Sequence, residues 1–248
     1  MEENSKQIAK KSKSSFYYAF SLLSAPKREA MNTVYAFCRK TDDIVDEGFE
    51  SDDLKYERLR KWRIELERAL LHSSSEYGLL NKLGEIIKQF NIPIEPFFEL
   101  IYGMEMDLKQ KRYFSFEDLS KYCYYAASTV GLMCIEIFGY KNKSARDYAI
   151  NLGLALQLTN ILRDVKTDAY NGRIYLPQED LEKFGYSEKD LISNKYNEQF
   201  VSLMKYEAER AKSLFNKADS SLAFEDKPSM FAARAMDHIY SKLLVKLE

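Results

Sequence analysis

Apolar residues recur at spacings of three and four along nearly the whole chain, and strand-like alternation with a period of two is missing. The pattern therefore predicts an all-α protein. Pro26 and Gly48 mark the start and stop of one predicted helix, and Ser187 with Asp190 caps a short one. The longer helices are predicted at 6–23, 26–47, 51–72, 76–90, 93–109, 116–138, 143–170, 198–222 and 228–247.

One predicted helix changes from apolar to acidic along a single face. Counting in fours from Leu152 gives Leu156, Asn160, Asp164 and Asp168, whose side chains stand above one another on the same side of the helix. The upper half of this row is apolar, and the lower half is an amide and two carboxylates. Such a face suits a ligand with an oily tail and a charged head.

The helix over 26–47 carries a similar row, with Tyr35, Arg39, Asp42 and Asp46 at spacings of three or four. If the two helices face each other across a bundle, four carboxylates converge on one cavity, and hard oxygen ligands favour Mg²⁺ over zinc. The alternative for either Asp pair is a solvated acidic face. Two such pairs on otherwise apolar helices favour the site.

Two further polar features lie outside these two rows. Asp107 is either a further carboxylate of the cavity or a surface charge. The segment 172–186, with Arg173, Tyr175 and Pro177, predicts a polar loop long enough to fold over the mouth of a site.

Composition and absent motifs narrow the function classes. A chain of 248 residues without a linker or repeat predicts one domain, 1–248, and a net charge of −1 predicts no nucleic-acid partner. No P-loop or G-x-G-x-x-G turn occurs, and with only two histidines a zinc site or a His-dependent triad is not expected. The chain has no apolar run of about 18 residues and no signal peptide, which predicts a cytoplasmic protein.

The chain also carries six segments found together in one family: SFYYAFSLLSAPKR, YAFCRKTDDIVDE, GMEMDLKQKRYFSFEDL, YCYYAASTVGLMCIEIFGY, LGLALQLTNILRDVKTD and GRIYLPQEDLEKFG. Their order over residues 14–186 resembles the squalene/phytoene synthase family, which joins prenyl diphosphates head to head. Within this family, the sequences of these segments most resemble the bacterial presqualene diphosphate synthase of hopanoid biosynthesis. The resemblance implies a single isoprenoid-synthase-type helical bundle with a large central cavity.

The resemblance also implies roles for individual residues. Asp42 and Asp46 of the first motif and Asp164 and Asp168 of the second would hold Mg²⁺, with Asn160 beside them. Tyr35 and Tyr122 match family tyrosines near the reacting carbons. Diphosphate contacts and the rest of the substrate site fall on Arg39, Gln157, Arg163, Tyr175, Phe16, Phe20, Val130, Gly131, Ala149, Leu152, Leu156 and Tyr240. For the apolar members of this set, plain core packing is an equal alternative.

The reaction that the resemblance implies is Mg²⁺-dependent condensation of two farnesyl diphosphates to presqualene diphosphate, with release of diphosphate. NADPH is not expected, because no signature for it is found. Implied partners are farnesyl diphosphate and downstream isoprenoid enzymes, and apolar products predict transient peripheral contact with the inner membrane. Alternatives are a phytoene or dehydrosqualene synthase, a head-to-tail prenyl synthase, and a non-catalytic prenyl-binding subunit.

The sequence departs from the family pattern in two places. The second motif usually reads Asp-x-x-Glu-Asp, and Thr167 stands where the Glu would be. Family members also usually continue through a basic C-terminal segment, so such a segment is expected to be missing after Glu248. The first departure puts metal affinity in question rather than the site itself.

Overall fold

The computed structural model describes residues 20–46, 48, 50–72 and 74–247. Over these residues the chain is helical, with one isolated β-bridge, between Arg112 and Ile174, and no β-strand. This confirms the all-α prediction. The α-helices are α1 Ala25–Asp46, α2 Asp52–His72, α3 Gly78–Phe90, α4 Glu95–Lys109, α5 Phe116–Cys123, α6 Thr129–Phe138, α7 Ala145–Tyr170, α8 Gln178–Lys183, α9 Glu188–Ile192, α10 Glu198–Ser221 and α11 Phe231–Leu247.

Most predicted helix ends agree with the structure within a few residues, because the residues that start and stop helices behave as expected. Pro96 occupies the first turn of α4, where its missing N–H costs nothing. Ser187 and Asp190 form a reciprocal capping box at the start of α9. The predicted helix 6–23 falls almost entirely outside the described residues.

The structure corrects two of the predicted segments. The helix predicted over 116–138 is interrupted by a π-helical turn, Tyr124–Ser128, which separates α5 from α6. The segment 172–186 is not a polar loop: Ile174 and Leu176 are buried, and α8 lies within it. The segment lies against the residues before α5, where the Ile174 N–H donates to the Lys111 carbonyl oxygen at 3.1 Å.

The helix α7 is the centre of the bundle and packs against α6, α10, α11 and the π-turn. No residue from Tyr148 to Leu162 is exposed, as the apolar composition of this stretch predicts. A Cβ on Gly153 would lie 2.5 Å from the Ser128 Cα, so only glycine permits this close approach of α7 to the π-turn. None of the described helices is both long and apolar enough to span a membrane.

Trp62 and the three cysteines are packing residues of the bundle. Trp62 is buried, and its indole N–H donates to the Thr41 hydroxyl at 3.0 Å. Cys38, Cys123 and Cys134 are free thiols, and the first two are buried. These residues therefore contribute packing rather than cross-links.

A buried ionic cluster joins α8 to α10. The Arg210 Nη1 lies 2.8 Å from Oδ2 of Asp180 and 2.8 Å from Oε1 of Glu207, and both carboxylates are buried. The guanidinium also stacks over the Phe116 ring, 3.9 Å from its centroid. One cation thus serves two buried carboxylates, and burial together with the nearby Asp180 raises the pKa of Glu207 to about 8.

Candidate active site

A cavity of about 220 Å³ lies between α1, α6, α7 and α11 and also borders Phe20 and the π-turn. Its wall is apolar except at one end, where Asp42, Gln157 and Asn160 come together. On α7 the wall runs from Tyr148 to Asn160, and the twelve helical rises between these residues correspond to a length of about 18 Å. The cavity thus has the shape and polarity to hold an oily chain with its polar head at one end.

The amide of Asn160 leaves one oxygen without a partner at this polar end. Its Oδ1 is buried and accepts no hydrogen bond, and its Nδ2 lies 3.5 Å from Oε1 of Gln157. A buried acceptor without a donor is costly, and ligands commonly satisfy such atoms. The oxygen is therefore available to a cation or to a donor on a ligand.

Asp42 lines the same cavity as Asn160. Burial raises its pKa to about 8, and the negative charge of Asp46, one turn further along α1, raises it as well. Arg39 counteracts this shift, although its Nε makes a 2.7 Å ion pair with Asp43. The acidic end of α1 therefore carries more negative charge than the protein cations around it neutralise.

The second acidic pair lies on the last turns of α7. Arg163 binds its neighbour Asp164 through two hydrogen bonds, of 2.9 and 2.5 Å. The pKa of Asp168 rises to about 6 because the side chain is partly buried and Asp164 is near. Both motifs thus crowd carboxylates whose mutual repulsion a bound cation would relieve.

Asp46 and Asp107 are joined by Arg173, from the segment after α7. The Arg173 Nη1 is 3.1 Å from Oδ1 of Asp46 and 3.3 Å from Oδ2 of Asp107. The Tyr175 hydroxyl donates to Oδ1 of Asp107 at 2.6 Å. Asp107 is buried and is therefore not a surface charge, although it does not line the cavity of the described structure.

Tyr122 lies in a buried group of aromatic rings next to Asp107. Its ring stacks on that of Tyr175 with centroids 5.3 Å apart, and Tyr113 packs against both. Burial and the Asp107 charge raise the pKa of Tyr122, so its hydroxyl stays protonated. Tyr122 does not line the cavity in the described structure, whereas Tyr35 does.

The predicted substrate residues fall into two groups. Those on the cavity wall are Phe20, Tyr35, Asp42, Val130, Gly131, Ala149, Leu152, Leu156, Gln157, Asn160 and Tyr240. Those off the wall are Arg39, Asp46, Tyr122, Arg163, Asp164, Asp168 and Tyr175. Phe16 lies outside the described residues.

The donor set fits Mg²⁺ by its chemistry. It offers carboxylate oxygens from two helices and the unpartnered amide oxygen of Asn160, all of which are hard ligands. Within the described ranges, no three acidic, His or Cys side chains are close enough to enclose an ion alone. Mg²⁺ is usually bound through one or two carboxylates together with substrate phosphates and water.

Comparison with known proteins shows which family has a sequence similar to this chain. Residues 9–248 match the sequence model described as squalene/phytoene synthase. The chain belongs to the squalene/phytoene synthase family. The resemblance to this family seen in the sequence motifs is thereby confirmed.

Individual relatives from this family share the sequence and the fold. A chloroplastic phytoene synthase from an Oncidium hybrid cultivar is 35% identical over 249 residues, and the chain spans 60% of that protein's length. A dehydrosqualene synthase crystallised with a ligand is 32% identical, with a TM-score of 0.85 over 96% of this chain and 82% of that one. Squalene synthase HpnC from Alicyclobacillus acidocaldarius is 27% identical, with a TM-score of 0.85 over 98% of this chain and 92% of that one.

Sequence reasoning left some residues of this region out of the site. Arg173 was assigned only to a loop, although Asp46 and Asp107 both contact it. Further cavity residues that it did not single out are Met31, Val34, Cys38, Ala126, Ala127, Cys134, Ile135, Phe138, Tyr148, Gly153, Ala232, Ala233 and Met236. The three-and-four spacing of those on α1, α6 and α11 was the available signal, but core packing gives the same spacing.

Proposed function

We propose that the protein condenses two farnesyl diphosphates head to head into presqualene diphosphate, with release of one diphosphate and one proton. The observation that carries this proposal is the apolar cavity that ends at Asp42, Gln157 and Asn160, next to both acidic motifs. An oily chain lies along the wall in this scheme, and its diphosphate reaches the carboxylate end. When bound there, Mg²⁺ would neutralise the charge of the departing diphosphate.

The length of the cavity supports a farnesyl chain over a geranylgeranyl chain. An extended carbon chain advances about 1.2 Å per bond, as the protein backbone does, so three prenyl units span about 14 Å and four span about 19 Å. The span along α7 from Tyr148 to Asn160 is about 18 Å. An extended chain of three units is shorter than this span, and an extended chain of four units is slightly longer.

The wall residues protect and stabilise the reacting carbons in this scheme. The rings of Phe20 and Tyr35 meet edge to face with centroids 6.4 Å apart, and both line the cavity. An aromatic ring beside a desolvated cation is worth about 1 to 2 kcal/mol. The apolar wall excludes water, so the allylic cation meets the double bond of the second chain first.

At the mouth, the positions of the basic and hydroxyl groups support roles in holding diphosphate. Arg163 and Arg173 each form an ion pair with a carboxylate of one of the two motifs. The Tyr175 hydroxyl donates to Asp107. Asp42, Asp46, Asn160, Asp164 and Asp168 would hold the metal. Tyr122 does not reach the cavity wall, and it supports this end by stacking its ring on that of Tyr175.

The product identifies the reaction. Incubated with farnesyl diphosphate and Mg²⁺, with or without NADPH, the protein is expected to yield presqualene alcohol after dephosphorylation of the product, identified by mass. Phytoene from geranylgeranyl diphosphate would assign it to the carotenoid reaction named for its Oncidium relative. Squalene formed only with NADPH would reveal a reductase step, and binding without diphosphate release would indicate a non-catalytic prenyl-binding subunit.

Thr167 offers a separate test of the metal site. The residue is exposed on α7 between Asp164 and Asp168. We expect Thr167→Glu to lower the Mg²⁺ concentration that gives half-maximal rate, because the added carboxylate restores the family motif at that point. Thr167→Gln is the size-matched control, and an unchanged Mg²⁺ requirement in the Glu variant would count against a metal beside this turn.

A further inference from the structure

Arg173 lies among carboxylates that come from three helices. Its Nη1 contacts Asp46 on α1 at 3.1 Å and Asp107 on α4 at 3.3 Å. Burial and Asp164 raise the pKa of Asp168 on α7, and the nearby positive charge of Arg173 offsets part of that rise. A single guanidinium therefore neutralises part of an acidic region to which both Asp motifs contribute.

The two carboxylates that bind Arg173 differ in their exposure to solvent. The side chain of Asp46 is 54% exposed, whereas that of Asp107 is 6% exposed and also accepts from the Tyr175 hydroxyl. An exposed carboxylate can exchange its partner at little cost, but a buried one that loses its cation is strongly destabilised. Asp107 is thus the permanent partner of Arg173, and Asp46 is the exchangeable one.

The backbone around Arg173 holds the guanidinium at this place. The Arg173 N–H donates to the Asp168 carbonyl oxygen at 2.8 Å, and the Ile174 N–H donates to the Lys111 carbonyl oxygen. Arg112 donates to the Gly172 carbonyl oxygen at 2.7 Å on the other side of the segment. The side chain therefore starts from an anchored segment and needs only a small rotation to leave Asp46.

We propose that Arg173 is a built-in counter-ion that takes the place of the metal charge on Asp46 in the metal-free protein and competes with the metal for that carboxylate. This inference rests on the proposed function, which assigns Asp46 to Mg²⁺. A divalent ion on Asp46 repels the guanidinium at this distance, so the guanidinium withdraws to Asp107. Arg173 thereby stabilises the empty site and lowers its affinity for metal alone.

The test measures binding of Mn²⁺ alone, without substrate, from the free Mn²⁺ signal in electron paramagnetic resonance. Arg173→Gln is expected to bind Mn²⁺ about tenfold more tightly than the wild type, because the competing charge is gone. Arg173→Lys keeps the charge and should stay within about threefold of the wild type. Arg173→Gln should also unfold at a lower temperature in chelator, and should regain more of this stability than the wild type when Mn²⁺ is added.

Arg112→Gln is the matched control, since Arg112 anchors the same segment and its side chain pairs with Glu188 instead of the motif carboxylates. It loses one positive charge as well, so an equal gain in Mn²⁺ affinity there would reduce the effect to net charge and overturn the proposal. Unchanged or weaker Mn²⁺ binding by Arg173→Gln would make Arg173 a structural brace and overturn it too.

Asp107→Asn provides a second variant with the opposite expected sign. It removes the permanent partner of Arg173, so the guanidinium moves onto Asp46 and Mn²⁺ binding should weaken by about threefold or more. An unchanged affinity in this folded variant would contradict the competition even if Arg173→Gln failed to fold. Failure of the proposed function would look different: the wild type would bind Mn²⁺ and release no diphosphate from farnesyl diphosphate.

Discussion

Replacing Asp42 or Asp164 with Asn is expected to lower the rate of diphosphate release from farnesyl diphosphate by about a hundredfold to a thousandfold or more. The change keeps the size of each side chain and removes the charge that would hold the metal against the leaving group. Loss of rate should come without loss of fold. For Asp42 in particular, whose half-buried carboxylate has a raised pKa, the amide should leave the unfolding temperature unchanged or higher.

Asp147→Asn supplies the matched control, because Asp147 is an exposed residue in the first turn of the same helix as Asp164. The same chemical change there should leave the rate within twofold of the wild type. Steady-state rates and helix content by circular dichroism give the comparison. If Asp42→Asn and Asp164→Asn both turned over within a few-fold of the parent, the two pairs would be solvated acidic faces.

Replacing Arg210 with Met should remove about 3 to 5 kcal/mol of unfolding free energy, which is the usual cost of stripping the partner from a buried ion pair. Met keeps much of the apolar stem that packs on Phe116, so the loss comes mainly from the charge. Asp180 and Glu207 would then be buried without a cation. Denaturant unfolding at fixed pH measures the difference.

The destabilisation by Arg210→Met should depend on pH in a defined direction. The folded pKa of Glu207, about 8, lies above its pKa in the unfolded chain. At pH values between these two, the folded state binds more protons than the unfolded state, so the free energy of unfolding falls as the pH rises. Without Arg210 this trend steepens, and the loss should be smaller at pH 5 than at pH 8. Adding Glu207→Gln to Arg210→Met should recover part of the loss at pH 8; a loss that is equal at both pH values would mean that packing rather than charge is responsible.

The helices could be predicted from sequence because each is marked by local signals. The proline in the first turn of α4 and the capping box at Ser187 act within a few residues, and apolar periodicity identifies the faces of α1 and α7. The same periodicity placed Asp42, Asn160 and the apolar row on common faces. The structure then shows that those two faces meet at one cavity.

The remaining features depend on contacts between distant parts of the chain. Arg173 is 127 residues from Asp46, and no local pattern relates them. The segment around Ile174 looked polar because its neighbours are charged, and it is buried because it pairs with the residues before α5. The π-turn keeps apolar spacings of three and four on both sides, so periodicity alone could not separate it from a continuous helix.

The π-turn at Tyr124–Ser128 makes the cavity depend on a residue count. A π-helical turn holds one residue more than the α-helical turn that it replaces. Deleting a single residue there would restore a continuous α-helix and rotate every later side chain of α6 by about 100°. Val130, Gly131 and Cys134 would then turn away from the wall, so the lining of the cavity depends on the extra residue that the π-turn accommodates.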